Sequence, residues 1–332
     1  VYAGNAGVVL EPTSGDQTAK INAAINNLSA GGSTAGGEGI RRAYELAEAN
    51  MIKGGVNRVI LATDGDFNVG ITDSEQLEDF VARKRDSGVT LTVLGFGRGN
   101  YNDAMMQTLA QAGNGNAAYI DNLNEARKVL VDEMAGTVFT IAGDVKFQIE
   151  FNPACVAEYR LIGYETRMLE TADFNNDKVD AGDIGAGHRV TALYEVTPVG
   201  SDARLTDPLR YGKPEGAASA DCSEIAYLKM RYKLPGETAS KLIERPITSA
   251  DRSTLDRLNG DFKFAASVAG FAQLLRGDPY LKDFSYGRVI ELAQAGKGAD
   301  PFGYRAEFIN LVRLAENSAS LTPLSMNGNG GE

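Results

Sequence analysis

Residues 58–70 read RVILATDGDFNVG, and the fold turns on how this stretch is read. A short apolar run of Val59, Ile60, Leu61 and Ala62 stops abruptly at Thr63-Asp64-Gly65. An apolar run that short, closed by an acid and a glycine, predicts a strand buried on both faces of a parallel sheet. Its end delivers Asp64 to the carboxyl edge of that sheet, where open α/β sheets bind their ligands. An ordinary strand followed by a solvated turn would leave the same string, so Asp64 acquires meaning only with a partner. The candidate partner lies upstream, in Gly31-Gly32-Ser33-Thr34-Ala35-Gly36-Gly37.

Working outward, the flanks alternate between helical and strand patterns. Val1 to Gly4 reads as the tail of a strand and Val8 to Leu10 as a short edge strand. Asp16 to Ser29 carries Ile21, Ala24, Ile25 and Leu28 at helical spacing, and the helix from Gly37 repeats it with Ile40, Ala43, Tyr44, Ala47 and Met51 before Gly54-Gly55. Ser74 to Ser87 presents Leu77, Phe80 and Val81 on one face, and Gly88 hands over to a strand at Val89 to Phe96. A helix at Asp103 to Ala112, a strand at Ala117 to Ile120 and a helix at Asn122 to Met134 continue the pattern. Such alternation predicts an α/β fold with a doubly wound, mainly parallel sheet over residues 1–141. The strands at 59–63 and 89–96 are expected to be parallel neighbours, because one crossover helix joins them.

Beyond Ile141 the period changes. Val145, Phe147, Ile149 and Phe151 alternate with Lys146, Gln148 and Glu150, and similar alternation recurs at Arg189 to Val196 and Glu224 to Tyr232. Period two with one wet face predicts an antiparallel, sandwich-like β-domain over 142–250. The helical period returns at Phe264, Val268, Phe271 and Leu275, then at Tyr286, Val289, Ile290 and Ala293, then at Phe308, Leu311, Val312 and Ala315. Three short amphipathic helices over 251–316 bury little alone, so they are expected to dock on the other domains. Residues 317–332, ending NGNGGE, read as a disordered tail.

A GGST loop that opens a helix, followed by a strand ending in TDG, resembles the second and third metal loops of a von Willebrand factor type A domain. The resemblance implies that Thr34 contacts a magnesium or manganese ion and that Asp64 holds it through water. The family's first loop, Asp-x-Ser-x-Ser, is absent: Asp221-Cys-Ser, Asp251-Arg-Ser and Asp283-Phe-Ser each lack the second serine. The chain is therefore expected to begin inside the domain, without its first strand and helix. The strings YRLIGYETR, DKVDAGDIGAGHRVTALYEV, LKMRYK and DFKFAASVAGFAQLLR resemble segments of a bacterial group of such proteins, uncharacterised lipoproteins with a C-terminal domain of unknown function. The similarity runs from about residue 1 to residue 316 and implies the bacterial cell envelope as location. Any membrane attachment would come from an N-terminal lipid anchor absent from this chain.

At 332 residues and 43% apolar, the chain is long enough for two or three domains with cores of their own. A net charge of −11 argues against a nucleic-acid partner, whose phosphate backbone needs a basic face. No apolar run approaches the roughly 20 residues that span a bilayer. Cys155 and Cys222 are the only cysteines, too few for a metal cluster. Each precedes a predicted strand of the same region, so they are either two buried thiols or one disulfide, and a disulfide would imply an oxidising compartment.

Asp173-Phe-Asn175-Asn-Asp177-Lys-Val-Asp180-Ala-Gly-Asp183 spaces oxygen ligands at positions one, three and five, as calcium loops do. The glycine expected at six and the acid expected at twelve are missing, and a polar hairpin connection rich in turn formers is the favoured reading. His188 is the only histidine, and Ala35 stands where a serine-nucleophile elbow needs glycine, so His188 reads as a structural hydrogen-bonding residue. Gly95-Phe-Gly97-Arg-Gly99-Asn100 lacks the last glycine of a dinucleotide fingerprint, and no nucleotide is expected. The expected function is a non-enzymatic protein-binding module whose partially coordinated magnesium or manganese is completed by a partner's acidic side chain. A metal-dependent hydrolase using Asp66 as base and a scaffold without metal are the alternatives.

Overall fold

The computed structural model describes residues 1–3, 5–29, 36–64, 74–97, 99, 101–133, 136, 139–164, 168–207 and 222–320. Strands β1 (Tyr2–Ala3) and β2 (Asn5–Ala6) form a small antiparallel pair, and helix α1 (Thr18–Asn26) buries none of its residues. Residues 8–10, expected as an edge strand, form a bend instead. Helix α2 (Gly36–Ala49), strand β3 (Asn57–Thr63), helix α3 (Ser74–Asp86), strand β4 (Val89–Phe96), helix α4 (Asp103–Ala112) and strand β5 (Ala117–Ile120) then alternate as expected. The strand order is β3-β4-β5, and both pairs are parallel, with Asn57 opposite Val89 and Thr63 opposite Gly95.

The core on one side of this sheet follows from two periodicities. Val59 and Leu61 of β3 and Val89, Leu91 and Val93 of β4 point to one face at period two. Ile40 and Tyr44 of α2, Leu77 and Val81 of α3, and Met106, Leu109 and Ala110 of α4 meet them at period 3.6. Each such side chain contributes about 1.5–3 kcal/mol by leaving water. The other face of β3 departs from expectation: Ile60 is 47% exposed and Ala62 is exposed, so the strand is buried on one face only. Among the described residues β3 has a strand neighbour on one side alone.

Capping explains several helix ends. Asn102 accepts from Met105 N at 3.1 Å to start α4, and Arg83, Lys84 and Arg85 place positive charge on the last turn of α3. The helix expected at 122–134 is shorter, comprising α5 (Leu123–Arg127) and a π-helical turn at Lys128–Asp132 closed by Glu133 N donating to the Lys128 carbonyl at 2.9 Å.

The remaining strands are β6 (Thr140–Phe151), β7 (Val156–Ile162), β8 (Gly182–Gly185), β9 (Leu193–Pro198), β10 (Glu224–Lys233) and β11 (Lys241–Thr248). They form a four-stranded sheet in the order β11-β10-β6-β8 and an antiparallel β7-β9 pair. Strand β6 pairs antiparallel with β8. Helices α6 (Gly260–Arg276), α7 (Tyr286–Gly296) and α8 (Tyr304–Ser320) follow; α6 and α8 run past the expected periodic residues at both ends and α7 at its C-terminal end. They pack on one another through Phe264, Phe271, Tyr286 and Phe308, whose rings meet edge to face.

The chain divides into two compact units. The first comprises Val1–Lys146, Asn176–His188 and Arg231–Lys241, and the second Phe147–Asn175, Arg189–Met230 and Leu242–Glu332. The described residues contain no helix long and apolar enough to cross a membrane.

Candidate functional site at the carboxyl edge of the parallel sheet

Strand β3 ends on Thr63, only 5% exposed, and Asp64 follows it into the open. Strand β4 ends at Phe96, one residue before Gly97; Gly97 has φ +86 and Gly99 φ +120, conformations that side-chain-bearing residues rarely adopt. A Cβ built on Gly97 would lie 3.8 Å from the Cβ of Asp64, so the base of the acid's side chain lies beside Gly97 across the β3-β4 pair.

Three tyrosines surround this edge. The Tyr2 hydroxyl donates to the Ala62 carbonyl at 3.3 Å and is hydrogen-bonded to the Thr63 side chain. Burial first, with the charge of Asp64 adding, raises its pKa despite the Thr63 bond. Tyr101 donates to Asp103 Oδ1 at 3.3 Å, and its ring leans on Tyr119 at 4.9 Å. Burial first and Asp103 next push Tyr101 up to about 12. The Tyr119 hydroxyl donates to the Gly97 carbonyl. Gly95 is required here, because a Cβ would run into the Tyr101 ring. The glycines that fail as a dinucleotide fingerprint thus serve tyrosine packing and a tight turn.

This arrangement presents one carboxylate beside three phenols. It can accept hydrogen bonds from a partner or donate one oxygen to a hard cation. Thr34 with the rest of its loop, and Asp66, lie outside the described residues, so the expected pairing of Thr34 with Asp64 is not placed. A hard divalent cation takes about six oxygens. Among the described residues no group of three or more histidine, cysteine, aspartate or glutamate side chains is placed to hold a metal ion. The described residues alone therefore do not make up the shell.

The other expected residues fall elsewhere. Asp173 and Asn175 sit in a 3-10 turn, Thr171–Asn175, of the second unit, where a calcium loop would wrap its ligands instead. Asp177 belongs to the first unit, and its carboxylate accepts from Ser240 N at 3.2 Å. Hydrogen bonds from Ser240 hold that carboxyl below its usual pKa. Cys155 and Cys222 form a disulfide in the second unit, with Cα atoms 5.6 Å apart. His188 Nδ1 accepts from Gly185 N at 3.4 Å, and its ring lies where a side chain on Gly136 would have to go.

Comparison with known proteins places the chain. A family model described as "Uncharacterized protein YfbK, C-terminal" matches residues 136–318. The chain belongs to the YfbK family. A second model, the von Willebrand factor type A domain, matches residues 1–132, the part that holds the parallel sheet and its carboxyl edge. "Uncharacterized protein YfbK" of Escherichia coli (strain K12) is 50% identical over 322 residues, covering 97% of this chain and 55% of that protein. The chain thus spans about half the length of the curated YfbK it matches. Among solved structures, "von Willebrand factor type A from Catenulispora acidiphila" is 18% identical with a TM-score of 0.43, covering 94% of this chain and 71% of that one. The conserved hypothetical protein BatB from Bacteroides thetaiotaomicron is 24% identical with a TM-score of 0.33, covering 40% and 74%.

Proposed function

We propose that the chain is a non-catalytic protein-binding module of the bacterial cell envelope, and that the carboxyl edge marked by Asp64 is its recognition surface. The observation that carries this reading is the position of Asp64, exposed beyond a buried strand end and beside Gly97. The von Willebrand factor type A match over residues 1–132 supports it. In this reading Thr34 and Asp64 are two ligands of a magnesium or manganese ion, and an acidic side chain of the partner supplies another. Oxygen donors of this kind suit hard cations. The Cys155–Cys222 disulfide supports an oxidising compartment, consistent with the envelope.

Manganese itself is the test probe, because a paramagnetic ion broadens nearby NMR signals even when it binds weakly. Added manganese is expected to broaden the backbone amides of Thr63, Asp64 and Gly97, and Asp64→Ala is expected to abolish the effect. Broadening confined to residues 173–177, or unchanged in the Asp64→Ala protein, would contradict the proposal.

A further inference from the structure

Away from the Asp64 edge, three carboxylates of the first unit meet in a cleft of about 410 Å³. Asp144 sits at an irregularity of β6, where the register with β8 slips between Ala142 and Val145. Its φ is +49, which costs a side-chain-bearing residue on the order of 1 kcal/mol or more. The contacts it makes hold it there: Oδ1 accepts from Ala181 N at 3.1 Å, and Oδ2 accepts from Lys233 Nζ at 2.6 Å. Its backbone N–H donates to Asp183 Oδ1 at 3.3 Å. Asp180 accepts from Arg85 Nη1 at 2.7 Å, and the charge of Asp144 acts on it. Carboxylates gathered this closely repel one another, so taking up one proton relieves the cluster.

The charge count makes the same point. Lys233 pairs with Asp144 and Arg85 with Asp180. Asp183 forms no ion pair within 4 Å among the described residues. Its nearest compensating charge is Arg58, whose guanidinium is committed to Thr92 Oγ1 at 2.7 Å and acts on Asp183 only through space. Around the rim, Lys178 adds one positive charge, and Asp86, Asp177 and Glu237 add three negative ones. A site with more acids than bases, closed on one side by the irregular β6 backbone, favours binding a proton.

We propose that Asp144, Asp180 and Asp183 form an acid-tightened latch in which proton uptake, centred on Asp183, clamps β8 and the turn before it onto β6. This goes beyond the binding role proposed for Asp64 and does not depend on it. Burial first, and the charges of Asp144 and Asp180 next, lift Asp183 to about 6, against the Asp144 N–H and Arg58. Burial is also the main cause that raises Asp180, with Arg85 opposing and Asp144 adding. Asp183 is exposed as a residue, but its Oδ1 is turned onto the Gly143–Asp144 backbone. Water on the outer side screens part of the interaction.

A carboxyl whose folded pKa lies above its unfolded value binds its proton more tightly when folded. The stability it contributes is complete below the ordinary aspartate range, near 4, and is lost as pH rises through about 6. Thermal midpoints of the whole chain and of Asp183→Asn, which keeps the Oδ1 acceptor, would be compared from about pH 4 to about pH 8 at fixed ionic strength. The Asn protein is expected to melt about 2–4 °C higher at the alkaline end and to converge with the native chain at the acid end. In the native chain, the Asp183 carboxyl carbon is expected to titrate near 6 by NMR. A midpoint near 4, parallel pH profiles, or a less stable Asn protein at the alkaline end would overturn the latch.

Discussion

Tyr44 is fully buried and meets Phe80 edge to face at 5.6 Å, yet its hydroxyl has no hydrogen-bond partner among the described residues. A buried hydroxyl without a partner has lost its water and gained nothing. Tyr44→Phe keeps the ring packing and removes the stranded oxygen, so it is expected to raise the free energy of unfolding by about 1 kcal/mol. Urea unfolding would show this, and a loss of stability would mean that the hydroxyl has a partner. The same scale shows what the sequence makes visible. Asp64 is legible because strand ends carry local punctuation, an apolar run followed by Thr-Asp-Gly. Tyr2, Tyr101 and Tyr119 are not, because they reach the edge from three distant places in the chain. Gly95 and Gly97 gave a local signal, but their reason for being glycine, room for Tyr101 and a positive φ, exists only in three dimensions.

At the scale of elements, helices and the parallel strands follow from hydrophobic period, while β7 and β11 escape it. Strand β7, VAEYRLI, does not alternate, and β11, KLIERPIT, is exposed over most of its length and contains Pro246. Proline without an N–H is tolerated there because β11 lies at the end of its sheet. The three C-terminal helices pack on one another and, as expected of short amphipathic helices, also meet the β-region, through Arg160 of β7. Pattern gives each helix an apolar face but not its partner, and the aromatic faces found one another. Arg160 of β7 shows how polar contacts then fix such an arrangement within the second unit. Its Nε donates to Glu195 at 2.6 Å, Nη1 to Asp278 at 3.1 Å and Nη2 to Gln273 at 2.8 Å, with the guanidinium 4.6 Å from the Tyr280 ring centre. Gln273 is 7% exposed, so removing Arg160 strands a buried amide oxygen. Arg160→Ala is expected to cost about 2–3 kcal/mol in chemical unfolding. Arg160→Lys should recover little, because an ammonium cannot reach three acceptors in a plane; full recovery by lysine would refute the planar-fork argument.

For the whole molecule, a boundary drawn where the hydrophobic period changes falls at Ile141, whereas the first unit runs on to Lys146 and takes back Asn176–His188 and Arg231–Lys241. Segments that return to a unit from later in the chain leave no mark on local periodicity. The family matches divide the chain contiguously instead, a von Willebrand factor type A part at 1–132 and a YfbK C-terminal part at 136–318. The account of function rests on the first part. Its carboxyl edge offers Asp64, and under the proposal Asp64 and Thr34 together are too few oxygens for a tight magnesium or manganese site. Isothermal titration calorimetry with manganese would compare this chain with a version carrying an Asp-x-Ser-x-Ser loop grafted ahead of Val1, each with and without Asp64→Ala. The account predicts weak binding by the chain as it stands, tighter binding by the grafted version, and loss of that gain in Asp64→Ala. Equally tight binding by all four proteins would contradict it and place the ion away from the Asp64 edge.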